Sequence, residues 1–182
     1  MLSKYQCIYI EGYLLVNEPL VRSTMEKAKK LGLKVALDLS NFNIVNAFKG
    51  MLEDIIPKYV DILFSNESEA EAFTGRKAAE AVHTLSELVE VSLVTLGKEG
   101  ALIGSHGQFY SVPAEGGKPV DTTGAGDNFA AGFLYGQSIG ASLVQSARIG
   151  SMLAGYVIDV VGPEIPYDKW EQIKLKVKGI LA

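Results

Sequence analysis

The sequence predicts an α/β protein, a three-layer arrangement in which helices cover both faces of a mainly parallel sheet. Two observations carry this expectation. Short apolar runs of strand length alternate with longer amphipathic stretches of helical period. The 182 residues, 48% of them hydrophobic, suffice for one domain spanning 1–182 with a sizeable core.

Each element follows from local pattern. Cys7-Ile8-Tyr9-Ile10 is an apolar run stopped by Glu11-Gly12 and reads as a buried strand. Pro19 to Leu31 places Leu20, Val21, Met25, Ala28 and Leu31 on one helical face, and Gly32 stops it. Val35 to Leu39 is the next strand, followed by a helix over Asn43 to Lys58 interrupted near Gly50 and Pro57. Val60 to Phe64 is the third strand. Short helices are predicted at Glu67 to Thr74 and Ala78 to Leu88, and a fourth strand at Val91 to Leu96. Ala101 to Ile103 and Phe109 to Val112 read as a hairpin around Ser105-His106-Gly107. Helices over Ala125 to Ser138, Leu143 to Val157 and Tyr167 to Gly179 close the chain. There is no internal repeat or low-complexity tract.

Composition narrows the function classes. The formal net charge is -4, which argues against a nucleic-acid partner, because phosphate backbones are bound through basic stripes. The single cysteine, Cys7, forms no internal disulfide, and His83 and His106 lack metal-ligand spacing. No apolar run approaches the about 18 residues a membrane helix needs, so no membrane partner is expected. The N-terminal residues do not resemble a signal peptide, and the expected compartment is the cytoplasm.

In open parallel sheets, ligands bind beyond the carboxyl ends of the strands, so turns that follow strands matter most. The run Asp121-Thr122-Thr123-Gly124-Ala125-Gly126-Asp127-Asn128-Phe129 is a glycine-rich turn opening a helix of small apolar residues. A helix start presents free N–H groups and partial positive charge, and glycines allow a ligand close to them. The chemistry suits a transferring phosphoryl group. Asp127, in the first helical turn, is placed to accept a proton from a substrate hydroxyl. A plain alternative is a threonine cap with Asp127 at the positive end of the helix, but that leaves two glycines at helix-initiating positions unexplained. The pattern is neither a dinucleotide fingerprint nor a Walker loop.

Two further turns belong to the same argument. Asn66-Glu67-Ser68-Glu69 follows the third strand; it has the spacing of a capping box and also the oxygen chemistry of a Mg2+ site. Thr95-Leu96-Gly97-Lys98-Glu99-Gly100 follows the fourth strand, and its glycines permit a tight backbone beside a ligand.

These motifs resemble the ribokinase (PfkB) carbohydrate kinase family, and Asp121 to Gly132 is similar to its C-terminal signature. The resemblance implies a ribokinase-like fold and transfer of the ATP γ-phosphoryl to a hydroxyl of a sugar or nucleoside. Asp127 is then the catalytic base, and Gly124, Ala125 and Gly126 the anion hole. Asn66 and Glu69 match the family's Asn-x-x-Glu motif, which organises Mg2+ and phosphates through water. Thr95, Gly97 and Gly100 match a turn passing near the nucleotide. Asp121 and Thr123 match positions that help hold a monovalent cation such as K+. The stretches Ile10 to Leu15, Asp38 to Ser40 and Tyr59 to Glu67 look like adenosine kinases within the superfamily. Ser151 and Ala154, on the matching C-terminal helix, then border the adenine.

Family members are commonly longer, and the strand at Cys7 matches the middle of their pattern. The N-terminal strands and β lid are therefore expected to be lacking. The exposed sheet edge this leaves is expected to be covered by a second copy or by the missing N-terminal segment. The competing expectation is a truncated nucleotide-binding module of the same fold without catalysis.

Overall fold

The computed structural model describes residues 4–116 and 119–182. The chain forms two compact units, one running up to Leu96 and including Leu102–Tyr110, the other comprising Gly97–Ala101 and Ser111–Ala182.

The first unit is built from alternating strands and helices. In order these are β1 (Cys7–Glu11), α1 (Glu18–Lys30), β2 (Lys34–Asp38), α2 (Phe42–Ala47), α3 (Lys49–Tyr59), β3 (Ile62–Asn66), α4 (Glu67–Thr74), α5 (Ala78–Ser86) and β4 (Val91–Thr95). β5 (Ala101–Ser105) and β6 (Gln108–Val112) complete a six-stranded sheet with the order β1-β2-β3-β4-β5-β6. β1 to β4 pair in parallel, with Ile10 opposite Leu37, Leu63 opposite Ser92 and Asn66 opposite Thr95. This register sets the carboxyl ends of β1 and β2 level, Glu11 opposite Asp38, while β3 runs two residues past Phe64, the partner of Asp38, to end at Asn66.

Local chemistry accounts for the boundaries. Asn17 caps α1 by accepting the Leu20 N–H at 3.3 Å, Pro19 sits in its first turn, and Lys27, Lys29 and Lys30 oppose the negative end. Val21, Met25 and Ala28 form its buried face. The helix expected over 43–58 is instead two helices that break at Phe48, whose φ of -114° and ψ of 20° leave the helical region. Gly50 falls in the first turn of α3 and Pro57 in its last, and the helix runs through both. The β5–β6 connection is a two-residue turn, His106-Gly107, with φ of 48° and 75°, the geometry a tight hairpin selects. The core gathers Leu37, Leu63 and Val94 from the strands with Val21, Met25, Leu52, Ile56 and Leu85 from the helices. Burial of each such side chain stabilises the unit by about 1.5–3 kcal/mol.

The second unit contains α6 (Ala125–Ser138), α7 (Leu143–Val157) and α8 (Trp170–Leu181), the last preceded by a short 3-10 turn at Tyr167–Lys169. α6 and α7 start and stop where the sequence predicts; Ser142 and Gln145 close a reciprocal cap on α7. Their contact is built on absent side chains. A Cβ on Gly132 would lie 2.7 Å from the Gly150 Cα, and one on Gly136 would lie 2.6 Å from the Ser146 hydroxyl. Ile149, Met152 and Val157 of α7 pack with Ile173, Val177 and Ile180 of α8. Among the described residues, no helix is long and apolar enough to cross a membrane.

Candidate active site

In the first unit, the candidate residues collect where β3 runs into α4. Asn66 ends β3 in extended conformation and caps α4, accepting the Glu69 N–H at 3.0 Å and the Ser68 hydroxyl at 2.7 Å. Glu69 answers by accepting the Asn66 N–H at 2.9 Å and its Nδ2 at 2.6 Å. The capping box is therefore formed. Glu69 is only 4% exposed, and burial raises its carboxyl to about 7; the two Asn66 donors oppose that shift and the charge of Asp38 adds to it. Thr95, at the end of β4, donates its hydroxyl to the Ser65 carbonyl at 3.3 Å.

A neighbouring network, legible in sequence only as a similar stretch, holds the end of β2. The Asp38 carboxylate accepts the Tyr9 hydroxyl at 3.2 Å and the Ser40 N–H at 2.6 Å, and the Ser40 hydroxyl accepts the Gly12 N–H at 2.7 Å. Ser40 adopts φ 63°, a left-handed conformation that its hydrogen bonds sustain. A Cβ on Gly12 would sit 2.7 Å from the Leu39 carbonyl, so glycine is required for this approach.

In the second unit, Gly97 and Gly100 both have positive φ, 55° and 98°. A Cβ on Gly100 would lie 1.9 Å from the Val112 carbonyl oxygen, whereas one on Gly97 would meet open space. Gly124 is the N-cap residue of α6, with φ 76° and ψ 4°. That left-handed residue turns the chain so that the N–H groups of Gly126 and Asp127 face outward without an acceptor among the described residues. Asp127 is exposed in the first turn of α6, and its carboxylate makes no hydrogen bond or ion pair among the described residues.

Asp121 and Thr123 are brought together. Asp121 Oδ1 accepts the Thr123 N–H at 2.9 Å and hydroxyl at 2.7 Å, and Oδ2 accepts the Gly162 N–H at 2.9 Å. These donors, Gly162 first, hold its carboxyl below the usual carboxylate range. Ser151 is buried on α7 and its hydroxyl bridges the loop after β6, donating to the Pro113 carbonyl at 3.0 Å and accepting the Glu115 N–H at 2.9 Å. Ala154 is half-buried one turn on. Sequence reasoning did not single out Asn128, whose Nδ2 donates to the carbonyls of Gly124 at 2.9 Å and Pro163 at 3.3 Å. It also passed over Gly155, where a Cβ would lie 1.8 Å from the Glu115 carbonyl oxygen. A small residue one turn after Ser151 was the available signal.

Among the described residues, no group of three or more His, Cys, Asp or Glu side chains gathers to form an all-protein metal cage. Asn66 Oδ1 and the two Glu69 carboxylate oxygens are hard donors that already accept N–H and O–H groups of the capping box, a chemistry that fits Mg2+ held through water rather than directly.

The model of the pfkB family carbohydrate kinase matches residues 1–170. The chain is 33% identical over 176 residues to an adenosine kinase from Saccharomyces cerevisiae, covering 88% of this chain and 52% of the relative. A solved probable sugar kinase protein from Rhizobium etli CFN 42 superposes with a TM-score of 0.91 at 31% identity, covering 98% of this chain and 56% of that one. The adenosine kinase from Sinorhizobium meliloti gives 0.90 at 30% identity, covering 96% and 55%. The chain thus spans about half the length of the relatives it matches. The ribokinase-like α/β fold expected from the sequence is the fold of these kinases.

Proposed function

Because the chain belongs to the pfkB family of carbohydrate kinases, we propose that it carries the nucleotide-binding and catalytic residues for ATP-dependent phosphorylation of a hydroxyl on a sugar or nucleoside. The similarity to adenosine kinases favours a nucleoside such as adenosine as acceptor. The observation that carries the proposal is the start of α6. Left-handed Gly124 leaves the N–H groups of Gly126 and Asp127 without an acceptor among the described residues, beside an Asp127 carboxylate that has no partner among them.

Each residue has a physical task. The backbone of Gly124, Ala125 and Gly126 meets the charge that grows on the transferring phosphoryl oxygens, supported by the positive end of α6. Asp127 takes the proton of the acceptor hydroxyl as that oxygen bonds to the γ-phosphorus of ATP and the bond from that phosphorus to the bridging oxygen breaks, with ADP leaving. Asn66 and Glu69 would hold Mg2+ through water, and the cation supplies charge neutralisation on the phosphates. Thr95, Gly97 and Gly100 shape the turn along which the nucleotide lies. Ser151 and Ala154 border the base, Ser151 by fixing the loop at Pro113 and Glu115. Asp121 and Thr123 offer carboxylate and hydroxyl oxygens to a monovalent cation such as K+. The open side of β1, which ends the strand order, supports association with a further polypeptide stretch, such as a second copy.

The deciding experiment is Asp127→Asn, assayed for phosphoryl transfer to adenosine and to ribose with Mg2+ and ATP. Loss of a general base lowers turnover by about 100- to 10,000-fold. Near-unchanged turnover would overturn the assignment. Calorimetric binding of Mg2+ and ATP without transfer to any acceptor would instead identify a non-catalytic nucleotide-binding module.

A further inference from the structure

Two loops of the second unit, 121–124 and 158–163, are tied on both sides of Gly124. On one side, Asp121 accepts the Gly162 N–H at 2.9 Å, and Val120 donates to the Ile158 carbonyl at 2.7 Å. On the other side stands Asn128. Its Nδ2 donates to the Gly124 carbonyl at 2.9 Å and to the Pro163 carbonyl at 3.3 Å. Both partners are acceptors only, so they fix which end of the amide faces them. The Gly124 carbonyl also takes the Asn128 N–H at 2.9 Å, which uses its second lone pair.

Between these ties Gly124 has no freedom. A Cβ there would lie 2.8 Å from the Pro163 Cβ and 3.0 Å from its Cα, so Pro163 packs directly on the Gly124 backbone. The φ of 76° at Gly124 aims the open N–H groups of Gly126 and Asp127. A shift of Pro163 would therefore reorient those groups. Nothing in helix capping requires this arrangement, since Asn128 lies a full turn inside α6, where a side chain adds no cap.

We infer that Asn128 is a positioning residue: its carboxamide clamps the Pro163 loop to Gly124 and so pre-aims the backbone donors that receive the phosphoryl group. This rests on the proposal that the start of α6 receives an anion. The test separates the two ideas by using one measurement without ligand and one with Mg2+ and ATP. Asn128→Leu keeps the shape and removes both side-chain donations. Asn128→Ser keeps a hydroxyl that reaches the carbonyl four residues back but not Pro163.

Without ligand, amide hydrogen exchange at Gly162 and Asn128 in Asn128→Leu is expected to speed up by about fivefold, as one lost hydrogen bond dictates, with Asn128→Ser in between. Unchanged exchange at both amides overturns the clamp, whether or not the chain binds nucleotide. With Mg2+ and ATP, the rise in thermal midpoint is expected to shrink in Asn128→Leu, with ATP affinity about fivefold weaker. Equal affinity in variant and parent overturns the positioning role even if exchange changes. If the parent chain itself shows no response to Mg2+ and ATP, the anion-hole proposal fails, and the positioning role falls with it.

Discussion

At the scale of single residues, Glu69 has the clearest dependence on pH. Burial raises its carboxyl from 4.5 to about 7, so the folded chain favours the neutral form more than the unfolded chain does. The sign follows directly. The contribution of Glu69 to stability is fully present below about 4.5 and is lost as pH rises through about 7, because ionisation then costs more in the folded state. The thermal midpoint of the parent chain is expected to drop across that interval, and Glu69→Gln to drop less. A parallel decline in both would remove Glu69 as the cause. Asp127 behaves differently. It is exposed and unpartnered among the described residues, so Asp127→Asn should lower transfer by about 100- to 10,000-fold while moving stability by no more than about 0.5 kcal/mol, as for other surface changes. A large loss of stability would show that Asp127 serves the fold.

At the scale of elements, two glycines in one turn have different reasons to be glycine. Gly97 needs its positive φ but has open space, so Gly97→Ala should cost about 1–2 kcal/mol. Gly100 combines φ 98° with a backbone oxygen 1.9 Å from where a Cβ would stand. Gly100→Ala should therefore cost about 3 kcal/mol or more, strain and overpacking together. Urea denaturation of both variants checks the order, and equal losses would contradict the close approach to Val112. The caps show which parts of the elements were legible. Asn66 with Glu69 has the spacing of a capping box and closed as local chemistry requires; Ser142 with Gln145 closes in the same way, though the sequence reading did not single it out. The break at Phe48 was not legible. Gly50 and Pro57 are the stronger local signals, yet α3 runs through both.

At the scale of the whole molecule, charge and the sheet edge act together. β1 ends the strand order, and Tyr5, Tyr13, Val16 and Leu20 are exposed in the same unit. A formal charge of -4 opposes association near neutral pH and vanishes near the pI of 5.3. Sedimentation velocity should therefore show a larger average mass near pH 5.3 than near neutrality. A mass independent of pH would mean that the edge and its apolar neighbours are not associating surfaces.

Sequence alone determined the order of strands and helices, the bounds of α4, α6 and α7, and the motif ending at Asp127. Those signals lie within a turn or two of the residues they govern, and helix starts, caps and glycine turns are settled at that range. Only the tertiary structure decided what holds the motif in place. Gly162 and Pro163 meet Asp121, Gly124 and Asn128 across 35 to 41 residues of chain. Which carbonyl an asparagine meets at that separation depends on how α6 and α7 pack, through Gly132, Gly136 and Gly150, and no local pattern encodes it. The same reason hid the burial of Glu69: its capping partner is three residues away and legible, but an exposure of only 4% is a product of tertiary packing.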